Sequence, residues 1–250
     1  MSGGHKGYGI GMREEITKME RFFERKHVGV IAAYAIFYVL SFFILERDTD
    51  RDYNMIHTAL DDLIPFCEYF VIPYLLWFVY IAGVVVFFAF FNQDVKEYWQ
   101  LVLSLALGMT LFLLVSWGYP NGHQLRPVTF ERDNIFVDLV KGLYKADTST
   151  NVLPSIHVFN SVAVYVAVSR CQKLRRYAMV RRGAFILSFL IVLSTMFLKQ
   201  HSVVDVICAL ILNAVVYLII YLPKEQWGLA RARSRSASSE SKNKGLFIKR

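Results

Sequence analysis

His201 and Asp205 have the residue types and the spacing of a catalytic pair. Residues four apart on a helix share one face, so the carboxylate can accept a proton from one imidazole nitrogen and leave the other nitrogen as a nucleophile. Asp205 lies within an apolar stretch, where an ionised side chain is costly without a partner. A helix cap beside an interfacial histidine gives the same pattern, so the pair alone leaves both interpretations open.

A second histidine, His157, follows a proline and a serine at a predicted helix start. Pro154 disfavours helix for Leu153 and suits the first turn of the helix that follows. Free backbone N–H groups at that start, together with the Ser155 hydroxyl, can bind a phosphate oxygen, and His157 is then placed to protonate a leaving group. The alternative is an ordinary Pro-Ser helix start that happens to precede a histidine.

Arg126 lies in a third segment of interest, the stretch from Tyr119 to Pro127, which its glycine and prolines predict to be a turn. A guanidinium can hold a phosphate through two parallel hydrogen bonds. Taken alone, an arginine in an outer loop is more often a solvated charge.

The composition indicates that membrane helices position these residues. Of the 250 residues, 55% are hydrophobic and 15% aromatic, which is more than a soluble domain can cover with a polar surface, and the mean hydropathy is +0.38. The apolar residues are grouped in runs suited to cross about 30 Å of hydrocarbon. We predict an all-α polytopic membrane protein, a six-transmembrane-helix bundle over Val28–Leu45, Phe70–Phe91, Trp99–Trp117, His157–Cys171, Ala184–Lys199 and Val203–Leu222. The fourth and fifth runs are short, so we expect their helices to extend into flanking polar residues.

The distribution of lysine and arginine predicts that both termini are cytoplasmic. Residues 1–27 are predicted to form a basic amphipathic cytoplasmic segment, residues 28–223 the membrane domain, and residues 224–250 a disordered basic cytoplasmic tail. The loop after the fourth run is basic, whereas the loop after the first run is acidic. This orientation puts His157 and His201 at the extracytoplasmic face, and the plasma membrane is the simplest location.

The net charge of +8 and the sequence pI near 9.4 do not indicate nucleic-acid binding, because the cations lie in the gaps between apolar runs. Three cysteines, Cys67, Cys171 and Cys208, have no metal-like spacing. The expected partner is therefore the bilayer, with neither nucleic acid nor a metal.

Together these motifs resemble the type 2 phosphatidic acid phosphatase family of membrane lipid phosphatases, over roughly residues 70–222. The family signature has three parts: a Lys followed after six residues by Arg-Pro, a Pro-Ser-x-His, and a Ser-Arg followed after five residues by His-x-x-x-Asp. The matching residues occur in the family's order; they are Arg126-Pro127, Pro154-Ser155-Ile156-His157, Ser194 and His201-Ser-Val-Val-Asp205.

The resemblance implies a phosphatase that acts on a lipid phosphate or pyrophosphate at the outer membrane face. His201 would attack phosphorus and form a phosphohistidine, Asp205 would stabilise the imidazolium, and His157 would protonate the leaving oxygen. The phosphoryl oxygens would be held by Arg126, Ser155, Ser194 and Lys199. No metal or other cofactor is required, because the nucleophile is an imidazole and side chains supply the cations.

Two positions depart from the family pattern, since Tyr119 stands in place of the Lys and Thr195 in place of the Arg. Lys199 either restores one positive charge or is an interfacial lysine whose stem snorkels outward. The loss of two cations favours a phosphodiester over a phosphomonoester. A head-group transferase similar to sphingomyelin synthases therefore stays an alternative.

A protein without catalysis is a further alternative, either a binding protein or a transporter with a proton relay through His157, Lys199 and Asp205. A relay would place ionisable residues near the bilayer midplane, whereas these residues cluster at the predicted outer helix ends. The choice of lipid, the choice between water and an alcohol as acceptor, and the oligomeric state do not follow from the sequence.

Overall fold

The computed structural model of the protein describes residues 27–47 and 51–222. These residues form mostly helix. In chain order the elements are α1 (Val28–Arg47), β1 (Asn54–Met55), α2 (Ala59–Leu63), a 3-10 turn (Glu68–Phe70), α3 (Val71–Val86), a π-helical turn (Phe87–Phe91), α4 (Val95–Gly118), β2 (Asn121–Gly122), α5 (Ile135–Ala146), α6 (Ile156–Arg170), α7 (Ala178–Phe197) and α8 (Val203–Ile220). Apart from His27, the predicted amino-terminal segment 1–27 lies outside the described residues, as does the predicted tail 224–250.

Five helical stretches are long and apolar enough to cross a membrane. They are Val28–Arg47, Glu68–Phe91, Val95–Gly118, Ala178–Phe197 and Val203–Ile220, and each overlaps one of the predicted runs. The expected extension of the fifth run is confirmed, because α7 begins at Ala178 and reaches 20 residues. The structure therefore supports a mostly helical integral membrane protein, while the count of six spans and the side of the termini stay predictions.

The fourth predicted run gives a shorter helix than we expected. α6 has 15 residues, or about 22 Å, whereas the hydrocarbon core of a bilayer is about 30 Å thick. It begins after Ser155 and ends at Arg170, without the expected extension. The reason lies in its surroundings, because α3, α4, α7 and α8 all pack against it. A helix enclosed by protein does not have to match the thickness of the lipid.

Hydrogen bonds from neighbouring helices hold the backbone of α6. The Asn213 side chain on α8 donates to the carbonyl of Phe159 (3.1 Å), and the Ser188 hydroxyl on α7 donates to the carbonyl of Ser161 (3.0 Å). Both donors and both acceptors are buried. These bonds fix the height of α6 relative to α7 and α8, and with it the height of His157 at its start.

A glycine on α4 allows that helix to approach α6 closely. A Cβ atom added to Gly108 would lie 1.9 Å from Cε1 of Phe159, whose side chain is fully buried. The phenyl ring therefore occupies the space that any larger residue at position 108 would need. Close packing of this kind makes even one extra methyl group costly.

Three loops are joined into a layer at the end of the bundle where α6 and α8 begin. β1 and β2 pair in parallel, with Asn54 opposite Asn121 and Met55 opposite Gly122, and Thr150 forms a bridge to Gly122. The buried Asn121 amide oxygen accepts the backbone N–H groups of Val152 (2.9 Å) and Leu153 (2.8 Å). These two short strands and the asparagine hold the segment that leads into His157.

The close contact between Gly108 and Phe159 predicts a difference between two glycine variants. Gly108→Ala should lower the free energy of unfolding by about 1–3 kcal/mol, because the new methyl group overpacks the interface of α4 with α6. The matched control is Gly83→Ala on α3, where a Cβ atom would meet nothing within 4 Å. The control should be as stable as the unsubstituted protein or slightly more stable, since alanine favours helix. Unfolding in detergent would measure both, and equal loss in the two variants would contradict the prediction.

Candidate active site

His157 and His201 both line a cavity of about 290 Å³ at the end of the bundle where α6 and α8 begin. Their ring centroids are 5.8 Å apart, and the two residues are only 8% and 7% exposed. His157 lies in the first turn of α6, and His201 lies two residues before α8. The structure therefore brings together the two histidines that the sequence separates by more than forty residues.

Asp205 lies beside His201, as their spacing predicts. Its Oδ2 atom is 3.4 Å from Nδ1 of His201 and accepts the backbone N–H of Ser202 at 2.9 Å. Neither Nδ1 of His201 nor Oδ1 of Asp205 has a hydrogen-bond partner among the described residues, and both atoms are buried. A small rotation of the imidazole would bring Nδ1–H onto the carboxylate and leave Nε2 as the nucleophile.

A second carboxylate, that of Asp61 in α2, fixes the start of α8. Asp61 accepts hydrogen bonds from the Ser202 hydroxyl (2.7 Å) and from the Val203 N–H (2.8 Å). Burial raises the pKa of Asp61, but these bonds and those from Thr58 outweigh it, so that its pKa lies below the ordinary value. The ionised Asp61 thereby ties α2 to the helix that carries Asp205.

Aromatic rings of α3 enclose His157. The rings of Tyr74 and Trp77 have centroids 4.6 and 4.5 Å from the imidazole, and Nδ1 of His157 is buried without a hydrogen-bond partner among the described residues. Ser155, just before α6, donates its backbone N–H to the carbonyl of Asp205 (3.2 Å), while its hydroxyl oxygen caps the Val158 N–H (3.4 Å). Of the backbone N–H groups at this helix start, which the sequence suggested for phosphate together with the Ser155 hydroxyl, that of Ser155 therefore binds a carbonyl of α8 and that of Val158 binds the Ser155 hydroxyl oxygen.

Arg126 lies behind the cavity wall with its guanidinium held by the chain itself. It donates to the carbonyls of Tyr144 (3.2 Å) and Thr148 (2.7 Å) and to the side-chain oxygen of Gln200, and it stacks on the Tyr144 ring at 4.5 Å. Three of its five N–H groups are thus occupied. Burial lowers the pKa of Arg126, partly offset by Asp147, and the guanidinium stays charged.

Ser194 and Lys199, the other predicted substrate-binding residues, lie in the last turn of α7 and just after it. Ser194 is buried on α7 and donates to the carbonyl of Ile191 (2.7 Å). Lys199 has a positive φ of 53°, and its ammonium group donates to the carbonyl of Asp61 (2.6 Å). Burial lowers the pKa of Lys199. Of the two departures from the family pattern, Thr195 is fully buried and bonds within α7, whereas Tyr119 is exposed.

Several residues at the site were not singled out in the sequence. Tyr74 and Trp77 stand three apart within an apolar run, and their aromatic spacing was the available signal. Gln200 was visible only as a polar residue beside His201, and the link from Asp61 to α8 spans more than 140 residues without a local signal. His123, also missed, is buried and hydrogen-bonded to the carbonyl of Gln200 (2.7 Å).

The arrangement suits phosphoryl transfer by side chains. Two imidazoles in the wall of one cavity can act as nucleophile and as general acid, because both can contact a group bound in that cavity. Over residues 27–47 and 51–222, no cluster of three or more His, Cys, Asp or Glu side chains could hold a metal ion.

Comparison with known proteins gives one match. A family model described as the PAP2 superfamily matches residues 97–227, a range that includes α6, α7, α8 and all three motif segments. The comparisons with curated proteins and with solved structures returned no match.

The burial of His123 predicts a loss of stability in acid. Burial and the nearby imidazole of His201 lower the pKa of His123 to about 4 in the folded protein. In the unfolded chain the pKa of this side chain is near 6.5, so on acidification the unfolded state binds the proton at a higher pH than the folded state does. Stability should fall as the pH drops from about 6.5, by about 3 kcal/mol at pH 4. Detergent unfolding measured between pH 7 and pH 4 should show this decline, and His123→Gln should flatten it.

The control for this prediction is His57→Gln. The Asp62 carboxylate, which lies 2.8 Å from His57, raises the pKa of that exposed histidine. The contribution of His57 to the stability of the folded protein is therefore already complete below pH 6.5 and is lost only as the pH rises. The His57 variant should therefore keep the acid decline. An unchanged slope in His123→Gln would contradict the assignment to His123.

Proposed function

Because the chain belongs to the PAP2 superfamily, whose family model covers more than half of its length, we propose that it is an integral membrane lipid phosphatase. The observation that carries the proposal is the placement of His157 and His201 in the wall of one cavity, with ring centroids 5.8 Å apart and with Asp205 beside His201. The substrate is a lipid phosphate or pyrophosphate bound at the outer membrane face. The helical membrane architecture and the family membership support this class of reaction.

In the first step Nε2 of His201 attacks phosphorus. The bond from phosphorus to the leaving oxygen breaks, a phosphohistidine forms, and His157 gives its proton to the leaving oxygen. Asp205 accepts the Nδ1–H hydrogen bond and stabilises the imidazolium. The 3.4 Å separation of Nδ1 from Oδ2 supports this role, because catalytic hydrogen bonds often shorten only when substrate binds.

In the second step water attacks the phosphohistidine. His157, now neutral, accepts the proton of the water as the bond from phosphorus to Nε2 breaks, and phosphate leaves. Both steps build charge on the oxygens around phosphorus, so fixed donors accelerate them most. We assign this role to Arg126, Ser155, Ser194 and Lys199. Three N–H groups of Arg126 are held by acceptors of the chain, so it would bind the phosphate through its two remaining N–H groups or by exchanging an acceptor.

The lipid chains are proposed to leave the cavity sideways into the bilayer. Six aromatic residues from α1, α3 and α4 line the cavity, namely Tyr38, Phe42, Tyr74, Trp77, Phe78 and Phe112. The outer surfaces of α1 and α3 expose large apolar side chains, as in Ile44 and Val79. Both termini are proposed to be cytoplasmic and the site extracytoplasmic in the plasma membrane, on the basis of the charged loops.

A head-group transferase is the second candidate, and it is favoured by the two departures from the family pattern. Thr195 is buried and neutral where the family has an arginine, so a doubly charged phosphomonoester would lack one of its counter-charges. A phosphodiester carries a single charge on the phosphate. With an alcohol as acceptor in place of water, the same phosphohistidine would pass its head group to a second lipid.

The proposed mechanism predicts three losses of activity in a product assay. The detergent-solubilised protein would be offered phosphatidate, a polyprenyl pyrophosphate and a choline or glycerol phospholipid. His201→Ala should abolish turnover, His157→Gln should lower it about 10²–10⁴-fold, and Asp205→Asn about 10⁴-fold. Full activity in His201→Ala, or no turnover of any lipid by the unsubstituted protein, would overturn the catalytic proposal.

A second assay decides between the two candidate reactions. Each lipid would be offered with and without diacylglycerol or ceramide as acceptor. A phosphatase should release phosphate at the same rate in both conditions, whereas a transferase should form a new lipid only when the acceptor is present. Either product must vanish in His201→Ala, because both reactions use the same nucleophile. New lipid without phosphate release would replace the phosphatase with the transferase.

A further inference from the structure

The absent family cations leave the phosphate with few donors. Thr195 and Tyr119 bring no charge, Arg126 has three of its five N–H groups occupied by the chain, and the ammonium group of Lys199 lies on the carbonyl of Asp61. Phosphoryl transfer nevertheless requires donors aimed at the equatorial oxygens. A buried donor in the wall of the cavity that the chain itself leaves unused would meet this requirement.

Gln200 is held in place by hydrogen bonds to both its backbone and its side chain. It is 2% exposed and lines the same cavity as His157 and His201. Its backbone N–H donates to the carbonyl of Thr195 (2.9 Å), and its carbonyl accepts from Nε2 of His123 (2.7 Å). Its side-chain oxygen accepts from the Arg126 guanidinium. Three anchors thus fix both the backbone and the amide group of Gln200.

The partner of this amide determines which way it faces. A guanidinium has only donors, so the Gln200 oxygen and not its nitrogen must face Arg126. The two N–H donors of Nε2 then point away from Arg126. Nε2 is buried and has no acceptor among the described residues, a state that costs free energy and is rare in folded proteins. The unused donor belongs to a residue that lines the same cavity as both histidines.

We propose that Nε2 of Gln200 donates a hydrogen bond to a non-bridging oxygen of the substrate phosphate. The inference rests on the phosphoryl-transfer function proposed above and adds a residue to it. Gln200 also links Arg126 to His201 along the chain, so one residue aligns the cation, the neutral donor and the nucleophile. A neutral amide beside one cation matches the single charge of a phosphodiester better than the double charge of a phosphomonoester.

The discriminating variant is Gln200→Glu. It keeps the shape of the side chain and an acceptor for Arg126, but it replaces the NH₂ group with an acceptor oxygen. We expect kcat/KM to fall about 10²–10³-fold, the loss typical of removing one donor to a transition-state oxyanion. Gln200→Met, which removes both interactions, should lose at least as much. If Gln200 only held Arg126 in place, Gln200→Glu would keep near-normal activity, and that result would overturn the proposal.

A matched control accounts for the change in charge. Gln124 is an exposed residue of the same outer loop, two positions from Arg126. Gln124→Glu introduces the same charge on the same face of the molecule and should leave kcat/KM unchanged. A loss in Gln124→Glu as large as that in Gln200→Glu would also overturn the proposal, because it would assign the effect to the added charge alone.

A binding measurement separates failure of this inference from failure of the proposed function. Calorimetric titration of inorganic phosphate into the detergent-solubilised protein needs no turnover. Gln200→Glu should bind phosphate at least tenfold more weakly than the unsubstituted protein and than Gln124→Glu. Equal affinity in all three, or no binding by the unsubstituted protein, would overturn the role of Gln200. Loss of binding in Gln200→Glu alone would support it even if none of the offered lipids were turned over.

Discussion

The hydrogen bond from the Ser155 backbone N–H to the carbonyl of Asp205 joins the starts of α6 and α8. Each helix carries one of the two histidines at or just before its first turn, so this single contact sets the distance between them. This hydrogen bond can fix the distance between the histidines only if neither helix start moves. Asp61 prevents this at α8 by accepting from Ser202 and Val203, and Asn121 does so at α6 by accepting from the two residues before Pro154. The geometry of the site is therefore a property of helix ends and not of the loops alone.

The same capping has an electrostatic consequence. The free N–H groups of a helix start usually attract an anion, but at α8 two carboxylates of the chain, Asp61 and Asp205, already accept them. In the proposed reaction the phosphate must therefore be held by side chains. We assign the fixed charge to Arg126 and a neutral donor to its neighbour Gln200. With so few cations, the proposed site suits a phosphate of low charge, as the head-group transferase alternative requires.

The sequence predicted the parts of this protein that depend on local pattern. Apolar runs identified the membrane helices because spanning a bilayer requires length and composition. His201 and Asp205 could be paired from their spacing, although His201 lies just before α8 and only Asp205 lies on the helix. The orientation of the Gln200 amide depends instead on Arg126, 74 residues away, and the capping by Asp61 depends on a contact across more than 140 residues. Nor does a helical pattern reveal that Gly108 must admit a phenyl ring. Such contacts arise from packing, which a single sequence does not encode locally.

The difference in length between α4 and α6 determines how far His157 lies below the end of the helix bundle. Glu97 of α4 accepts the backbone N–H of Gln172, just after α6, so the two helices have a common level at one end of the bundle. Gly118 at the end of α4 lies 21 positions after Glu97, and His157 lies 15 positions before Gln172, so at 1.5 Å per residue His157 lies about 9 Å below the far end of α4. In the proposed reaction the lipid presents its phosphate at that depth while its chains stay in the bilayer. Because moving each methylene group into water costs about 0.8 kcal/mol, a recessed site lets the proposed substrate bind without being extracted from the bilayer.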